Sequence, residues 1–545
     1  MNQAAMKQEK PRPKPLVLCV LDGLGEREQE HGNAVRLAKM PRFRELLSRY
    51  PHTQLQAAGA DMGTGSKKAG SGELGYMHLG AGRLVETPRA LIDKAAANFR
   101  ISCAEKIDWL FDIVKDRHCR LHLMGLLSDG GIHSSLEHLL GLIEEARFKD
   151  IPIVVHAFLD GRDVPPKTAW HYCERVLNAL EDKGIIGTIS GRAFAMDRLG
   201  RWDRTHRAYR AIVRGECETI ASVYDAIFSS YEFGILDEYI EPVRIGQYEG
   251  IAGSYCADFA SQKPMWMWQG EEAGLNFNLR ADATHQLSSM FCRKNIPLEV
   301  EEWLSDRNKP MYAFDEWSYV GMTDSHPALA LPVAFAKKLP DNTFGELIAK
   351  AGLRQLRCAN GAKPMHAGSY FSGGRHELFE GEERRLVSIS VQMELDPPEQ
   401  CPGMNALLLG QEAISAIQSG DYDFILLSFG NADGLAHTGN LEATVRALEA
   451  MDVELGRIAD CVRDAGGALI VTSSHGNCEQ MLDEKGGVHP AHTLNKVPFL
   501  YVNERDKDIA LRPEATLLDV APTMLEILGL EKPDVMTGQS LCIRP

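Results

Sequence analysis

The chain has 545 residues, of which 44% are hydrophobic and 25% charged. This length and composition are typical of a soluble globular protein with roughly two to four domains. The net charge of −16 argues against a general nucleic-acid-binding surface, although local arginines still allow a small anionic substrate.

The twelve cysteines are scattered and form no Cys-x2-Cys pair, which argues against a zinc knuckle or a disulfide framework. Such cysteine usage is typical of a reducing cytosol. No apolar run is long enough for a signal peptide or a membrane span. We therefore predict a cytoplasmic protein without a membrane segment.

The first elements follow a polar tail. Residues 1–15 are polar and interrupted by prolines, which predicts disorder. The apolar run Leu16–Leu21 predicts a buried strand that ends at Asp22 and a glycine turn. Because ligands of α/β sheets collect at the carboxyl ends of strands, Asp22 is a candidate metal ligand. An equally weighted alternative is that Asp22 caps the turn.

The next segment, residues 63–83, is dense in glycine. We interpret it as a loop whose backbone N–H groups approach a ligand such as a phosphate. Glycine density is also typical of an irregular loop that binds nothing.

From about residue 91 to 310, apolar runs alternate with amphipathic segments. The predicted strands are Leu121–Leu127, Ile153–Leu159 and 185–189, and residues 134–147 are a predicted helix. This βαβ spacing predicts a mostly parallel sheet.

Polar turns that follow these strands carry several cations and a carboxylate. They contribute His133, Arg162, Asp163, Arg192 and Arg198, and Arg280 follows a later apolar run. Together they predict a concave cationic pocket suited to phosphate or carboxylate. The alternative is a set of surface ion pairs.

After a predicted return linker at residues 300–320, the chain is again α/β. The predicted strands there lie near residues 423–428, 467–472 and 498–502.

An aspartate and three histidines accompany these C-terminal strands. Asp433 and His437 are four residues apart and so share one face of a helical turn. His475 follows an apolar run, and His492 lies in a polar turn. Such a set predicts a site for Zn²⁺, Mn²⁺ or a similar divalent ion. The alternative for Asp433 and His437 alone is a helix-surface contact.

Six motifs occur in order along the chain: LLSDGGIHS, HAFLDGRDVPPK, ISGRAFAMDRLGRW, GLRQLR, SGGR and PAHTLNKVPF. With them, the chain from about Leu16 to Leu530 resembles the cofactor-independent (2,3-bisphosphoglycerate-independent) phosphoglycerate mutases of the alkaline phosphatase superfamily. The resemblance implies an α/β fold with mostly parallel sheets. An alkaline-phosphatase-like metal domain (16–90 and 320–545) would hold two manganese ions, and an inserted transferase domain (91–319) would bind phosphoglycerate.

The resemblance also assigns residues. Asp433, His437 and His492 match one complete metal site. The matching substrate-binding residues are His133, Arg162, Asp163, Arg192, Arg198, Arg280 and Lys363. The histidine that follows the family's lysine by three residues is matched by His366. Family members are typically monomers.

The family's nucleophile loop reads Gly-Asn-Ser-Glu-Val-Gly-His, and here the serine position is Gly72, with Ser71 beside it. At the second metal site, Asp22 and His475 remain. The second aspartate is replaced by Ser474, so that site is predicted to be impaired.

A further departure lies three residues beyond Arg280, where the family's second phosphate-binding arginine is replaced by Ala283.

Three hypotheses follow. In the first, the chain is a diverged transferase with one tight Mn²⁺ or Zn²⁺ ion. It moves a phosphoryl or phosphonyl group from a bound donor to a hydroxyl of a phosphoglycerate-like substrate, without a phosphoserine intermediate. Asp163 would accept the hydroxyl proton, and Lys363 and the arginines would hold the anions. Relatives in phosphonate pathways suggest a phosphonoformyl cargo on a nucleotide-linked donor. In the second, the chain is an isomerase, a mutase with Ser71 as its nucleophile. In the third, it is a catalytically silent phosphoglycerate-binding protein.

Overall fold

A computed structural model of the chain describes residues 12–59, 62–63, 69–86, 88–98, 100–251, 272–304, 314, 318–324, 327–360, 363–387, 403–483 and 486–544. Most of the predicted N-terminal tail therefore lies outside the described residues. The chain divides into two compact units, Met1–Glu86 with Leu339–Pro545, and Thr87–Lys338. Among the described helices, none combines the length and the apolar character needed to cross a bilayer.

The first unit begins with five regular elements. They are β1 (Leu16–Leu21), α1 (Ala34–Leu37), α2 (Pro41–Arg49), β2 (His52–Gln56) and α3 (Gly72–Ala81).

Helix α3 corrects the prediction that residues 63–83 form a loop. Ser71 caps its start, and Gly82 ends it in the left-handed region at φ 60°. The glycines serve close packing, because a Cβ at Gly75 would lie 2.4 Å from the Ser474 carbonyl oxygen. A Cβ at Gly80 would lie 1.9 Å from the Phe371 carbonyl oxygen. The high glycine content of this helix therefore allows it to pack closely against the backbone of neighbouring segments.

The second unit, Thr87–Lys338, follows. Its helices and strands are α4 (Pro88–Ala97), α5 (Glu105–Arg117), β3 (Leu121–Leu127), α6 (Leu136–Phe148), β4 (Ile153–Leu159), α7 (Ala169–Leu180), β5 (Gly184–Gly191), α8 (Arg192–Ala195), α9 (Trp202–Arg214), β6 (Glu218–Ile220), α10 (Val223–Glu232), β7 (Val243–Ile245), β8 (Ala273–Asn276), α11 (Ala281–Cys292), α12 (Leu298–Leu304) and β9 (Tyr319–Gly321). Short 3₁₀ turns lie at Ile101–Cys103, Asp237–Tyr239 and Pro327–Leu329.

The first unit resumes after residue 338. Its remaining elements are α13 (Phe344–Lys350), β10 (Gln355–Asn360), α14 (Pro364–Ala367), β11 (Glu382–Val387), α15 (Met404–Ser419), β12 (Phe424–Phe429), α16 (Asn431–Ala436), α17 (Leu441–Asp464), β13 (Ala468–Thr472), β14 (Val497–Val502), β15 (Ala510–Leu511), β16 (Ala515–Thr516), α18 (Val520–Ile527) and β17 (Cys542–Ile543). Short 3₁₀ turns lie at Tyr370–Ser372 and Leu517–Asp519.

Each unit is built on one large sheet. The first has the strand order β11-β10-β12-β1-β13-β14-β2-β16, and only β14 runs antiparallel to its neighbours. The second has the order β6-β7-β5-β4-β3-β8-β9, with one antiparallel pair, β5 and β7. Strands β15 and β17 form a small antiparallel pair. The prediction of an α/β fold with mostly parallel sheets is confirmed.

The boundaries between the units differ from the prediction. Strand β9 pairs in parallel with β8. That pairing anchors the chain after residue 319 in the second unit, so residues 320–338 do not belong to the first. The predicted linker at 300–320 includes the end of α12 and the start of β9, and residues 305–313 lie outside the described residues.

Strand β1 lies in the middle of the first sheet, between β12 and β13, and is parallel to both. Its side chains alternate between two apolar clusters, with Val17 and Cys19 in one and Leu18 and Val20 in the other. Because both faces are buried, the strand is a continuous apolar run. The three parallel strands end at one edge of the sheet, and the polar residues that follow them meet there.

Candidate functional site

Asp22 follows β1 at this edge and is fully buried. Its Oδ1 accepts a hydrogen bond from the Ser474 hydroxyl at 2.5 Å, and its Oδ2 accepts one from the Tyr76 hydroxyl at 3.1 Å. Burial raises the pKa of Asp22, although Lys363 and His475 oppose that effect. Asp22 is therefore a carboxylate held by neutral donors within the sheet edge.

Asp433 lies in the first turn of α16 and is also buried. Its Oδ2 accepts a hydrogen bond from the Lys363 ammonium at 2.8 Å. Its Oδ1 lies 2.8 Å from Asn477 Nδ2 and 3.1 Å from His475 Nε2. Burial favours a higher pKa for Asp433, but His475 and Lys363 outweigh it and hold the pKa well below its usual range.

His437 and His492 complete a cluster with Asp433. Their Nε2 atoms lie 3.1 Å apart, and 3.6 and 3.7 Å respectively from Asp433 Oδ1. Their Nδ1 atoms face backbone carbonyls, of Pro490 at 2.6 Å and Gly70 at 2.9 Å. If each Nδ1 donates to its carbonyl, each Nε2 is left as a lone-pair nitrogen, the arrangement typical of metal-binding histidines.

This cluster fits a divalent ion. The ligand atoms of Asp433, His437 and His492 all lie within 4.8 Å of one another. Over the described residues, no other three His, Cys, Asp or Glu side chains meet in this way. Two imidazoles and one carboxylate suit Zn²⁺ or Mn²⁺.

The set predicted for a second ion fits one less well. Ser474 is buried, and its hydroxyl contacts both Asp22 Oδ1 and His475 Nδ1, the latter at 2.7 Å. The ammonium of Lys363 lies 3.9 Å from Asp22 Oδ2 and 2.8 Å from Asp433 Oδ2. Thus Asp22 and His475 have protein partners, and the side chain that contacts Asp22 Oδ1 and His475 Nδ1 is a neutral serine.

Residue 72, at the start of α3, lies beside His366 and His475. A Cβ at Gly72 would lie 3.0 Å from His366 Nε2 and 3.5 Å from His475 Cε1. The Ser71 hydroxyl instead accepts from the Leu74 N–H at 3.5 Å and caps the helix. The choice of Ser71 as a nucleophile stays a prediction, and its observed contact is a structural one.

Two nearby residues, Tyr76 and Asn477, were not singled out as site residues from the sequence, and a third, His366, was matched only through the resemblance. The Tyr76 hydroxyl bridges Ser428 Oγ at 2.6 Å and Asp22, and burial raises its pKa well above the usual value. Asn477 donates to Asp433, and the only signal for it was its place in the polar run after β13. Burial and the nearby Lys363 lower the pKa of His366 to about 3.

In the second unit, Arg192 connects two carboxylates. Its Nη1 lies 2.6 Å from Asp160 Oδ1 and 2.8 Å from Asp163 Oδ2. Asp160 also accepts the backbone N–H groups of Arg162 and Asp163. His133 Nε2 lies 4.0 Å from Asp163 Oδ2, and burial together with Arg192 lowers the pKa of His133 to about 4. His133 is therefore neutral near pH 7.

The other predicted arginines of this unit are exposed. Arg198 and Arg280 share Asp282, at 2.6 and 3.0 Å. Arg162 forms no ion pair with the described residues, and so its guanidinium is free for an anion. Ala283 is only 2% exposed and packs in an apolar cluster. The side chain at position 283 therefore lies in the core.

Comparison with known proteins shows the family to which the chain belongs. It matches the profile of the Metalloenzyme superfamily over residues 14–532. A protein of Moorella thermoacetica named 2,3-bisphosphoglycerate-independent phosphoglycerate mutase is 38% identical over 534 residues, covering 97% of this chain and 99% of that protein. A protein of the same name from Symbiobacterium thermophilum is 39% identical over 535 residues, covering 97% and 98%.

Among solved structures, a crystal structure of Leishmania mexicana phosphoglycerate mutase, determined at low cobalt concentration, superposes on this chain with a TM-score of 0.71. It is 27% identical and covers 98% of each chain. The fold is thus that of an alkaline-phosphatase-like metalloenzyme. The chain belongs to the Metalloenzyme superfamily and, within it, to the family of cofactor-independent phosphoglycerate mutases.

Proposed function

We propose that this protein is a diverged phosphoglycerate-mutase-like transferase. It moves a phosphoryl or phosphonyl group, such as phosphonoformyl, to a hydroxyl of a small phosphorylated carboxylate such as phosphoglycerate, without a phosphoserine intermediate. One observation carries the proposal. The residue of α3 beside His475, which contacts Asp433, is Gly72 and has no hydroxyl, whereas Asp433, His437 and His492 lie together.

The first unit supplies the metal site in this proposal. Asp433, His437 and His492 hold one tight Mn²⁺ or Zn²⁺ ion, which when bound neutralises charge on the transferred group. A second ion binds weakly, because Ser474 replaces a carboxylate beside Asp22. Lys363, already paired with Asp433, adds a positive charge for an anionic oxygen.

The second unit supplies the anion-binding residues in this proposal. Arg162 is exposed and forms no ion pair with the described residues. Arg198 and Arg280 release Asp282 when substrate binds and pair with the anionic oxygens of the substrate instead. Asp163 accepts the proton of the substrate hydroxyl. The donor is nucleotide-linked: as the substrate oxygen bonds to phosphorus, the bond from phosphorus to the nucleotide's oxygen breaks, and the nucleotide leaves with the electron pair. The protein acts as a cytoplasmic monomer.

Phosphorus-31 NMR of the purified protein with Mn²⁺ and 3-phosphoglycerate tests the proposal, first without and then with nucleotide-linked phosphonates. We expect a new phosphorus ester only when a donor is present. A variant with His437→Ala and His492→Ala serves as the metal-site control and should give no product. Formation of 2-phosphoglycerate without a donor would contradict the proposal, and so would binding without any conversion in either sample.

A second candidate, a genuine mutase with an altered nucleophile, is favoured by the near-complete alignment with proteins that are named mutases. A phosphate ester on Ser71 during turnover would support it. The third hypothesis, a silent phosphoglycerate-binding protein, requires binding without conversion.

A further inference from the structure

A cavity of about 600 Å³ lies in the first unit, between the loop that follows Asp22 and helices α1 and α2. Its volume falls within the range of about 300–1,000 Å³ that is typical of small-molecule sites. None of the residues assigned above to metal or substrate lines it. The cavity is therefore a separate feature from the metal cluster.

Three arginines, Arg27, Arg36 and Arg44, line this cavity, each from a different part of the chain. None of the three forms an ion pair with a described carboxylate, although Arg42 and Arg49 on α2 both do. In a chain with a net charge of −16, three unpaired guanidiniums in one cavity form a local positive patch.

The hydrogen bonds of these arginines leave donors free. Arg27 Nη1 is buried and has no hydrogen-bond partner. Arg36 donates from Nε to the Arg27 carbonyl oxygen at 3.3 Å, and Arg44 donates from one Nη atom to the Ala38 carbonyl oxygen at 3.2 Å. Each guanidinium has five N–H groups, so most of them remain available to an anionic ligand.

A single carboxylate lines the cavity, and it is already engaged. Glu26 accepts a hydrogen bond from the Gln54 side chain. Burial raises the pKa of Glu26, against the effects of Gln54, His52 and Arg36. One carboxylate thus lines the cavity beside three arginines, and among these its electrostatic interaction is with Arg36.

Apolar residues also line the cavity. Met40 and Phe43 are buried core residues, and Val35 and Leu47 pack against the same core. A cavity lined both by guanidiniums and by apolar residues that include an aromatic ring matches a ligand of two parts. The anionic part pairs with arginine in the bidentate manner of phosphate, and the flat apolar part packs against Phe43.

We propose that this cavity binds a nucleotide, with its phosphates on Arg27, Arg36 and Arg44 and its base against Met40 and Phe43. The site goes beyond the proposed transfer reaction and is tested by binding alone. Because the proposed transfer reaction also uses a nucleotide-linked donor, the cavity variants decide which site binds the nucleotide, and nucleotide binding that Arg36→Gln and Arg44→Gln leave unchanged would contradict the cavity site.

Isothermal titration of the full-length protein tests the proposal with four probes: inorganic phosphate, a nucleoside, and the corresponding nucleoside mono- and diphosphate. We expect the nucleotides to bind at least about tenfold more tightly than phosphate or nucleoside, because only they can contact both the arginines and the apolar residues. Arg36→Gln and Arg44→Gln should each weaken nucleotide binding by about tenfold or more. Arg49→Gln removes the same charge from α2 outside the cavity and should leave the affinity unchanged.

Three results would overturn the proposal. The first is an absence of nucleotide binding at millimolar concentration. The second is equal affinity for phosphate and nucleotide, which would indicate only a general anion patch. The third is equal weakening by Arg49→Gln and by the cavity variants, which would indicate a long-range charge effect. A thermal melt of each variant shows that it is folded before titration.

Discussion

Ser474 Oγ lies 2.5 Å from Asp22 Oδ1, and so its hydroxyl donates a hydrogen bond to the carboxylate that follows β1. A neutral hydroxyl at this position cannot contribute the negative charge that an aspartate there would bring to a divalent ion.

Replacing Ser474 with Asp should restore a second ion. The substitution places a carboxylate beside Asp22, and we expect bound Mn²⁺ to rise from one towards two per chain. Without metal, the two buried carboxylates repel each other, and the melting temperature should fall. Metal analysis after gel filtration measures the first effect, and Ser474→Asn is the uncharged control. An unchanged metal content in Ser474→Asp would show that more than this residue impairs the site.

In the proposed metal site, His437 and His492 are direct ligands. Changing either residue to Ala removes a direct ligand. Loss of an outer-shell partner already lowers metal affinity by up to about 100-fold, and so we expect loss of a direct ligand to lower Mn²⁺ affinity by at least about 100-fold. Competition with a fluorescent chelator measures the affinity. His376 is exposed, so His376→Ala is the matched control and should bind metal normally. Unaltered affinity in both site variants would place the ion elsewhere.

Sequence patterns were enough to predict much of the fold and part of the candidate metal site. Strands β3 and β4 have the predicted bounds because buried parallel strands are continuous apolar runs. Asp433, His437 and His492 meet as the resemblance implied.

What the sequence could not indicate depends on tertiary contacts. Helix α3 was missed because its glycines serve packing against Phe371 and Ser474, which are distant in sequence. Tyr76 and Asn477 belong to the cluster only through hydrogen bonds to Asp22, Ser428 and Asp433. A local pattern does not contain such partners.

His78 in α3 makes the stability depend on pH. It is buried, and burial lowers its pKa to about 4. The unfolded chain binds a proton at this residue below its ordinary pKa of about 6.5, whereas the folded chain does not until about pH 4. The stability from neutral His78 is therefore complete above pH 6.5 and is lost as the pH falls towards 4.

Between about pH 7 and pH 5, this loss should amount to about 2 kcal/mol. Urea unfolding at the two pH values measures it, and His78→Gln should reduce the difference by about that amount. His31→Gln, at an exposed position, should leave the difference unchanged. If His78→Gln retains the full difference, other groups cause the pH dependence.

Arg192 stabilises the second unit. Arg192→Ala leaves Asp160, which is fully buried, and Asp163 without their shared cation. Loss of one partner of a buried ion pair costs about 3–5 kcal/mol, and we expect a destabilisation of that size in urea unfolding. Arg162→Ala, at an exposed position, should change stability by no more than about 0.5 kcal/mol. Equal stability of the two variants would contradict this role for Arg192.

The central claim is that this chain transfers its group without a phosphoserine. The most direct measurement is to mix the protein with Mn²⁺ and 32P-labelled 3-phosphoglycerate, quench the reaction, and digest it for peptide mapping. The account predicts no acid-stable phosphate on the peptide that contains Ser71, and no 2-phosphoglycerate at an ordinary turnover of about 10 per second. Phosphoserine at Ser71 together with 2-phosphoglycerate at that rate would contradict it.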